Sequence, residues 1–155
     1  MGRLFAICLA FALAALPLHA ETLRIAFFDA ELERRGPGLL LSDILRGDEQ
    51  VTAVVEVIAS IEPDVLVLGG FDHDLEAHAL TAFVASLSGT GLHYAHLFTA
   101  PPNSGLVTGL DMDGNGRFGE ARDSQGYGAF TGVGGMAILS TYPLGNVRDF
   151  SPFLW

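Results

Sequence analysis

Apolar positions along the chain change rhythm several times, and each change marks an element. Leu23-Arg-Ile-Ala-Phe-Phe28 is a short, mostly apolar run that predicts a first strand ending at Asp29. A loop through Arg34-Arg35-Gly-Pro-Gly38 follows. Beyond Asp48, an expected N-cap, Val51, Val54, Val55, Ile58 and Ile61 recur every three or four residues, so a helix with one apolar stripe is expected up to Pro63. Val65 to Leu68 is a continuous apolar run and predicts a strand buried on both faces. Leu80, Phe83, Val84 and Leu87 predict a second helix closed by Ser88-Gly89. Third and fourth strands are expected at His93 to Phe98 and Met136 to Leu139, the last one halted by Tyr142-Pro143. From Pro101 to Val133 there is no periodicity, only Gly, Pro, Asn and Asp; a loop of this length in a small domain is usually functional or mobile. The tail from Val147 to Trp155 closes on large apolar residues. Strands alternating with helices define an α/β chain.

The first twenty residues stand apart. Arg3, the apolar run Leu4 to Leu16 and Leu18-His19-Ala20 form a secretory leader with cleavage expected after Ala20; an uncleaved N-terminal anchor is the competing reading. Residues 1–20 are thus a leader and 21–155 one domain at most, exported to the periplasm or secreted, with no stable membrane span after cleavage. The only cysteine, Cys8, lies in the leader, so disulfides, thiol catalysis and Cys-ligated metals are excluded from the mature chain. Eighteen acids face eight arginines and no lysine, and removing Arg3 takes the formal net charge from -10 to -11. Such a surface repels a phosphate backbone, whose binding rests on cationic contacts, so long nucleic acid is a poor partner. A bound divalent cation would change that locally and could still bring a phosphate in.

Several acidic groups are candidate ligands. Asp111-Met-Asp113-Gly-Asn115-Gly116 carries oxygens at positions one, three and five with a glycine at six, a spacing that can wrap Ca2+, with the Arg117 carbonyl at position seven. Position twelve, which should be a bidentate glutamate, is Arg122, with Glu120 and Asp123 nearby. The alternative is a solvated loop of Asx turns. Asp72, His73 and Asp74 follow the second strand and can hold a metal or exchange protons; equally, Asp72 or Asp74 can cap the next helix. Asp29 and the Gly69-Gly70 turn both stand at carboxyl ends of strands, where ligands of α/β sheets gather. Ser104 and Ser140 have no base nearby in sequence, His78 reads as a solvated helix residue, and His93 and His96 are left unassigned.

Three stretches in order resemble the N-terminal half of the endonuclease/exonuclease/phosphatase superfamily: Leu23-Arg-Ile-Ala-Phe-Phe-Asp29, Ile61-Glu-Pro-Asp-Val-Leu-Val-Leu-Gly-Gly70 and Gly135-Met-Ala-Ile-Leu-Ser-Thr-Tyr-Pro-Leu144. Arg35-Gly-Pro-Gly-Leu-Leu-Leu and the Asp-rich loop resemble an exported bacterial branch of it. The resemblance implies half of a four-layered α/β sandwich and a phosphoesterase dependent on Mg2+ or another divalent cation. It sets Asp29 where the family has a metal-site asparagine and Gly70 where it has a metal-binding glutamate. Asp72, two residues on, would point the same way as position 70 if the backbone stayed extended. The family's catalytic histidine, Asp-x-Asn and Ser-Asp-His segments belong to a C-terminal half that these residues do not include. The expectation is an exported phosphoesterase that is truncated or degenerate and, as this chain alone, incomplete or inactive, with an uncovered apolar sheet face. The alternatives are a non-catalytic calcium-binding periplasmic protein and a gene fragment.

Overall fold

The computed structural model describes residues 22–148 and 150, so the leader with Cys8 and the apolar end Phe153-Leu-Trp155 lie outside the described residues. Four strands, β1 (Ile25–Leu32), β2 (Val65–Phe71), β3 (His96–Ala100) and β4 (Gly135–Ser140), form one sheet in the order β1-β2-β4-β3. β1 and β2 are parallel, whereas β4 runs antiparallel to both β2 and β3. Three helices accompany them: α1 (Leu39–Arg46), α2 (Glu49–Ile61) and α3 (His78–Ser88). The chain is therefore α/β, as its rhythm predicts, with one mixed sheet and three helices among the described residues.

The core lies on one side of the sheet. Val51, Val54, Val55 and Ile58 of α2 and Leu80, Phe83 and Leu87 of α3 bury their stripes against Leu66, Leu68 and Phe71 of β2 and Ala137 and Leu139 of β4. The expected cap holds: the Asp48 carboxylate accepts the Gln50 and Val51 amides at 3.1 and 3.4 Å, while Thr52 Oγ1 donates to its carbonyl. Such a cap contributes about 1 kcal/mol.

Helix α1 is absent from the sequence reading. Its three leucines are consecutive, which hides the period, but Leu40 and Ile44 four residues apart are both buried, and Gly38 and Gly47 bracket the helix in left-handed conformations. β1 runs on to Leu32, so Asp29 lies inside the strand and not at its end. β3 begins at His96; Tyr94 before it is buried and donates its hydroxyl to the Pro63 carbonyl at 2.8 Å, and burial followed by the Asp64 charge pushes that phenol up to about 12. β2 is not buried on both faces. Leu66 and Leu68 are enclosed, but Val65 and Val67 are only half-buried, because the three helices occupy one face only. On the other face Ile25 and Phe27 are 66% and 68% exposed and Met136 56%, so the uncovered apolar face anticipated above is present among the described residues.

Candidate functional site

The centre of β1 and β2 departs from regular pairing. Asp29 pairs with Gly69 and Leu32 with Phe71, so β1 spends Ala30 and Glu31 where β2 spends Gly70 alone. Across the other edge, Leu68 pairs with Ala137 and Phe71 with Gly135, so Gly69 and Gly70 oppose Met136 alone. Both slips fall on Gly70, whose φ is +59°, and the facing Glu31 has φ +50°. A bulge of this kind adds a residue without reversing the buried face. Phe71 accordingly still faces the helices, edge-on to Phe83 with ring centroids 5.5 Å apart.

On the bare face, exposure alternates through Ile25, Phe27 and Asp29, so the first carboxylate continues the apolar row. Asp29 leans over Gly70: a Cβ there would stand 2.6 Å from Asp29 Oδ1 and 3.1 Å from the Glu31 amide nitrogen.

Asp72 occupies a different environment. It is 7% exposed, its Oδ2 accepts the Arg34 amide at 2.8 Å and its Oδ1 accepts the Gly134 amide at 2.9 Å. The carboxylate thereby ties the β1–α1 connection and the entry to β4 onto the end of β2. Burial pushes the Asp72 carboxyl above the ordinary value, opposed by the two amide donors and by the Arg34 charge. The expectation that Asp72 shares the direction of position 70 required an extended backbone, and the left-handed turn at Gly70 removes that condition. Arg34 is fixed from its far end by Asp43, whose Oδ2 lies 2.5 Å from its Nε.

The helix-capping role falls to Asp74, whose two oxygens accept the His78 and Ala79 amides, each at 2.7 Å. Between the two acids, His73 Nδ1 lies 3.1 Å from Thr99 Oγ1, and Thr99 in turn donates to the Met136 carbonyl at 3.0 Å. With the hydroxyl proton committed, Nδ1 is the donor and Nε2 carries the lone pair. Burial lowers the His73 pKa, partly offset by Asp74, so the imidazole is neutral near pH 7. His78 is on the surface, 2.8 Å from Glu76.

The long loop is ordered rather than structureless. Isolated bridges join Ser104 to Gly126 and Val107 to Ser124, and a 3-10 turn spans Ala121–Asp123. Its backbone strands approach so closely that a Cβ on Gly105 would sit 1.8 Å from the Phe130 carbonyl oxygen. Asp123, only 1% exposed, organises the turn: Oδ1 accepts the Met112 amide at 2.9 Å and Oδ2 the Glu120 amide at 3.0 Å.

Asp111 accepts the Asn115 and Gly116 amides at 3.0 and 2.8 Å, and Asp113 accepts the Asn115 amide at 3.2 Å. Asn115 is used inside the turn, its Nδ2 donating to Glu120 at 2.6 Å and its Oδ1 accepting the Arg117 amide at 2.7 Å. Arg117 extends into solvent, 3.5 Å from Glu120. One oxygen from each of Asp111, Asp113 and Asp123 lies within 4.8 Å of the others, a group of carboxylates that can hold a metal ion. The carboxylate that comes near Asp111 and Asp113 is thus Asp123, one residue past the Arg122 of the expected spacing. The sequence signal for it was Glu120 and Asp123 three apart, the reciprocal cap of a short turn.

Among the described residues no helix is long and apolar enough to cross a membrane. The chain matches the Endonuclease/Exonuclease/phosphatase family over residues 26–154 and belongs to that family. No curated protein and no solved structure matches it. The family works with divalent metals, and the site between β1 and β2 can be tested for one. Asp29 offers a single carboxylate, Gly70 offers no ligand, and the space a side chain at 70 would enter is held by Asp29 Oδ1 at 2.6 Å. The residues present do not fit a metal held jointly from positions 29 and 70.

Proposed function

We propose that the protein is an exported member of a phosphoester-hydrolase family whose hydrolytic site is degenerate, so that these residues alone turn phosphoesters over poorly or not at all. The observation that carries this reading is Asp29 leaning over Gly70, a glycine in a left-handed turn that stands where the resemblance expects a second acidic ligand. A hard cation without fixed charge opposite it is bound weakly, because Mg2+ surrenders its water shell reluctantly. What the chain's own residues do here is structural: Asp72 ties three segments together, and His73 is held neutral against Thr99.

Export follows from the leader, and the net negative charge favours a small or lipid phosphoester over long nucleic acid. The purified chain should be assayed on a small phosphodiester, a phosphomonoester, a phospholipid and plasmid DNA, with Mg2+ and with EDTA. No turnover above background is expected. Turnover that vanishes both with EDTA and in Asp29→Ala would overturn the degenerate reading and restore an active enzyme.

A second reading is favoured by the convergence of Asp111, Asp113 and Asp123, in which the working part of the protein is a Ca2+-holding loop. Three carboxylates at this separation repel one another, and a divalent cation removes the repulsion. Calcium should then raise the melting temperature of the wild type but not of Asp113→Ala; equal curves with and without calcium would exclude the loop as a cation site.

A further inference from the structure

We infer that Gly70 is required by the present backbone, so that the acidic ligand missing from the strand site cannot be regained by substitution at that position. The inference deepens the degenerate reading above and rests on it for the importance of position 70. Its own support is geometric. Gly70 is the one residue at which both neighbouring ladders slip, against β1 on one side and β4 on the other. Its φ of +59° lies in the left-handed region, and across from it Glu31 is held at +50°. The two residues form a matched pair, in which the extra residue of β1 is accommodated by the turn of β2.

The space beside the turn is also taken. A Cβ at Gly70 would meet Asp29 Oδ1 at 2.6 Å, the Glu31 nitrogen at 3.1 Å and the Glu31 Cα at 3.4 Å. The Glu31 nitrogen is a backbone atom of a paired strand and cannot swing aside, while the Glu31 Cα stands at ordinary contact distance. The Asp29 oxygen belongs to a carboxylate, so an acidic side chain entering there meets a like charge as well as an atom. The neighbouring β1 side chain Phe27 stands over a glycine in the same manner, its Cζ 3.1 Å from where a Cβ on Gly69 would be. Phe27 and Asp29 of the β1 row therefore rest on two glycines, and Asp29 has its position because residue 70 has no side chain. Gaining a ligand at 70 and keeping Asp29 in place are mutually exclusive in this backbone.

The test is a double-mutant cycle on the full chain with Gly70→Glu, Asp29→Gly and both together. Thermal melting and calorimetric titration with Mg2+ and Mn2+ are the readouts. Gly70→Glu is expected to lower the melting temperature by roughly 5–10 °C and to add no metal-binding heat. The double variant should recover part of that loss, because removing the Asp29 carboxylate frees the space. Should Gly70→Glu prove too unstable to purify, the same comparison is made with Gly70→Asn, whose side chain tolerates the left-handed region. The inference is overturned if Gly70→Glu melts like the wild type and binds Mg2+ tenfold more tightly or better. It is equally overturned if deleting the Asp29 side chain rescues neither variant. Phosphoester turnover by the wild type would refute the degenerate reading while leaving the melting cycle to be judged separately.

Discussion

The two acidic regions of this molecule use carboxylates in opposite ways. On the sheet, Asp29 and Asp72 are each placed by a strand, and a strand allows little adjustment: residues face one side or the other, and one bulge resets the count. Asp29 stays exposed on the face away from the helices, while Asp72 is drawn into backbone hydrogen bonds with Arg34 and Gly134. In the loop, Asp111, Asp113 and Asp123 span at most twelve positions of sequence separation, and one oxygen from each falls within 4.8 Å of the others. Asx turns and glycines let that backbone fold around its own acids. Regular structure separates charges that a turn-rich loop can gather, so acid-rich sequence means different chemistry in the two settings.

The comparison is broken most severely by changes on the sheet. Gly70→Glu should cost about 3 kcal/mol, most of it the left-handed backbone and the crowding against Glu31, read by chemical denaturation. A loss under about 0.5 kcal/mol would show that the bulge relaxes freely.

Asp72→Ala strands two part-buried amides, those of Arg34 and Gly134, and should cost about 2 kcal/mol with faster hydrogen exchange at both. Asp72→Asn keeps one acceptor and should cost less. The sign of its pH dependence follows from the raised carboxyl. A carboxyl raised in the folded state contributes stability that is fully present below its unfolded value and lost as pH rises through its folded value. The gap between wild type and Asp72→Asn should therefore widen as the pH is lowered from neutrality toward 4, the unfolded value being near 3.8. A gap that narrows instead would mean that the two amide donors outweigh burial.

In the loop, Asp123→Ala removes the acceptor for the Met112 and Glu120 amides and should cost about 1–2 kcal/mol, confined to exchange in residues 106–128. Asp113→Ala, at an exposed position, should change stability by less than about 0.5 kcal/mol without added metal. With saturating calcium its whole effect would be loss of the cation's contribution, about 2.7 kcal/mol at a hundredfold excess over Kd.

How far the sequence could be read depended on whether the relevant physics was local. Helix α2 was legible because its stripe, its Asp48 cap and Pro63 all lie within sixteen residues and report the same turn of chain. α3 and the cores of β2 and β4 were legible for the same reason. α1 was not, since three adjacent leucines carry no period and only packing decides which of them turns inward. The acidic loop was legible as a turn-former, but position twelve of the loop pattern holds Arg122, and only the short 3-10 turn shows that Asp123, and not Glu120, comes near Asp111 and Asp113.

The sequence by itself determined the α/β class, the order of most elements and the family, since periodicity, caps and short ordered motifs are written along the chain. Only the tertiary structure decided which acids meet. Whether Asp29 faces a ligand, whether Asp72 faces solvent and whether Asp123 reaches Asp111 depend on strand register, on one left-handed glycine and on amides supplied from distant segments. Those are relations between parts of the chain that touch only once it has folded, and no local pattern encodes them.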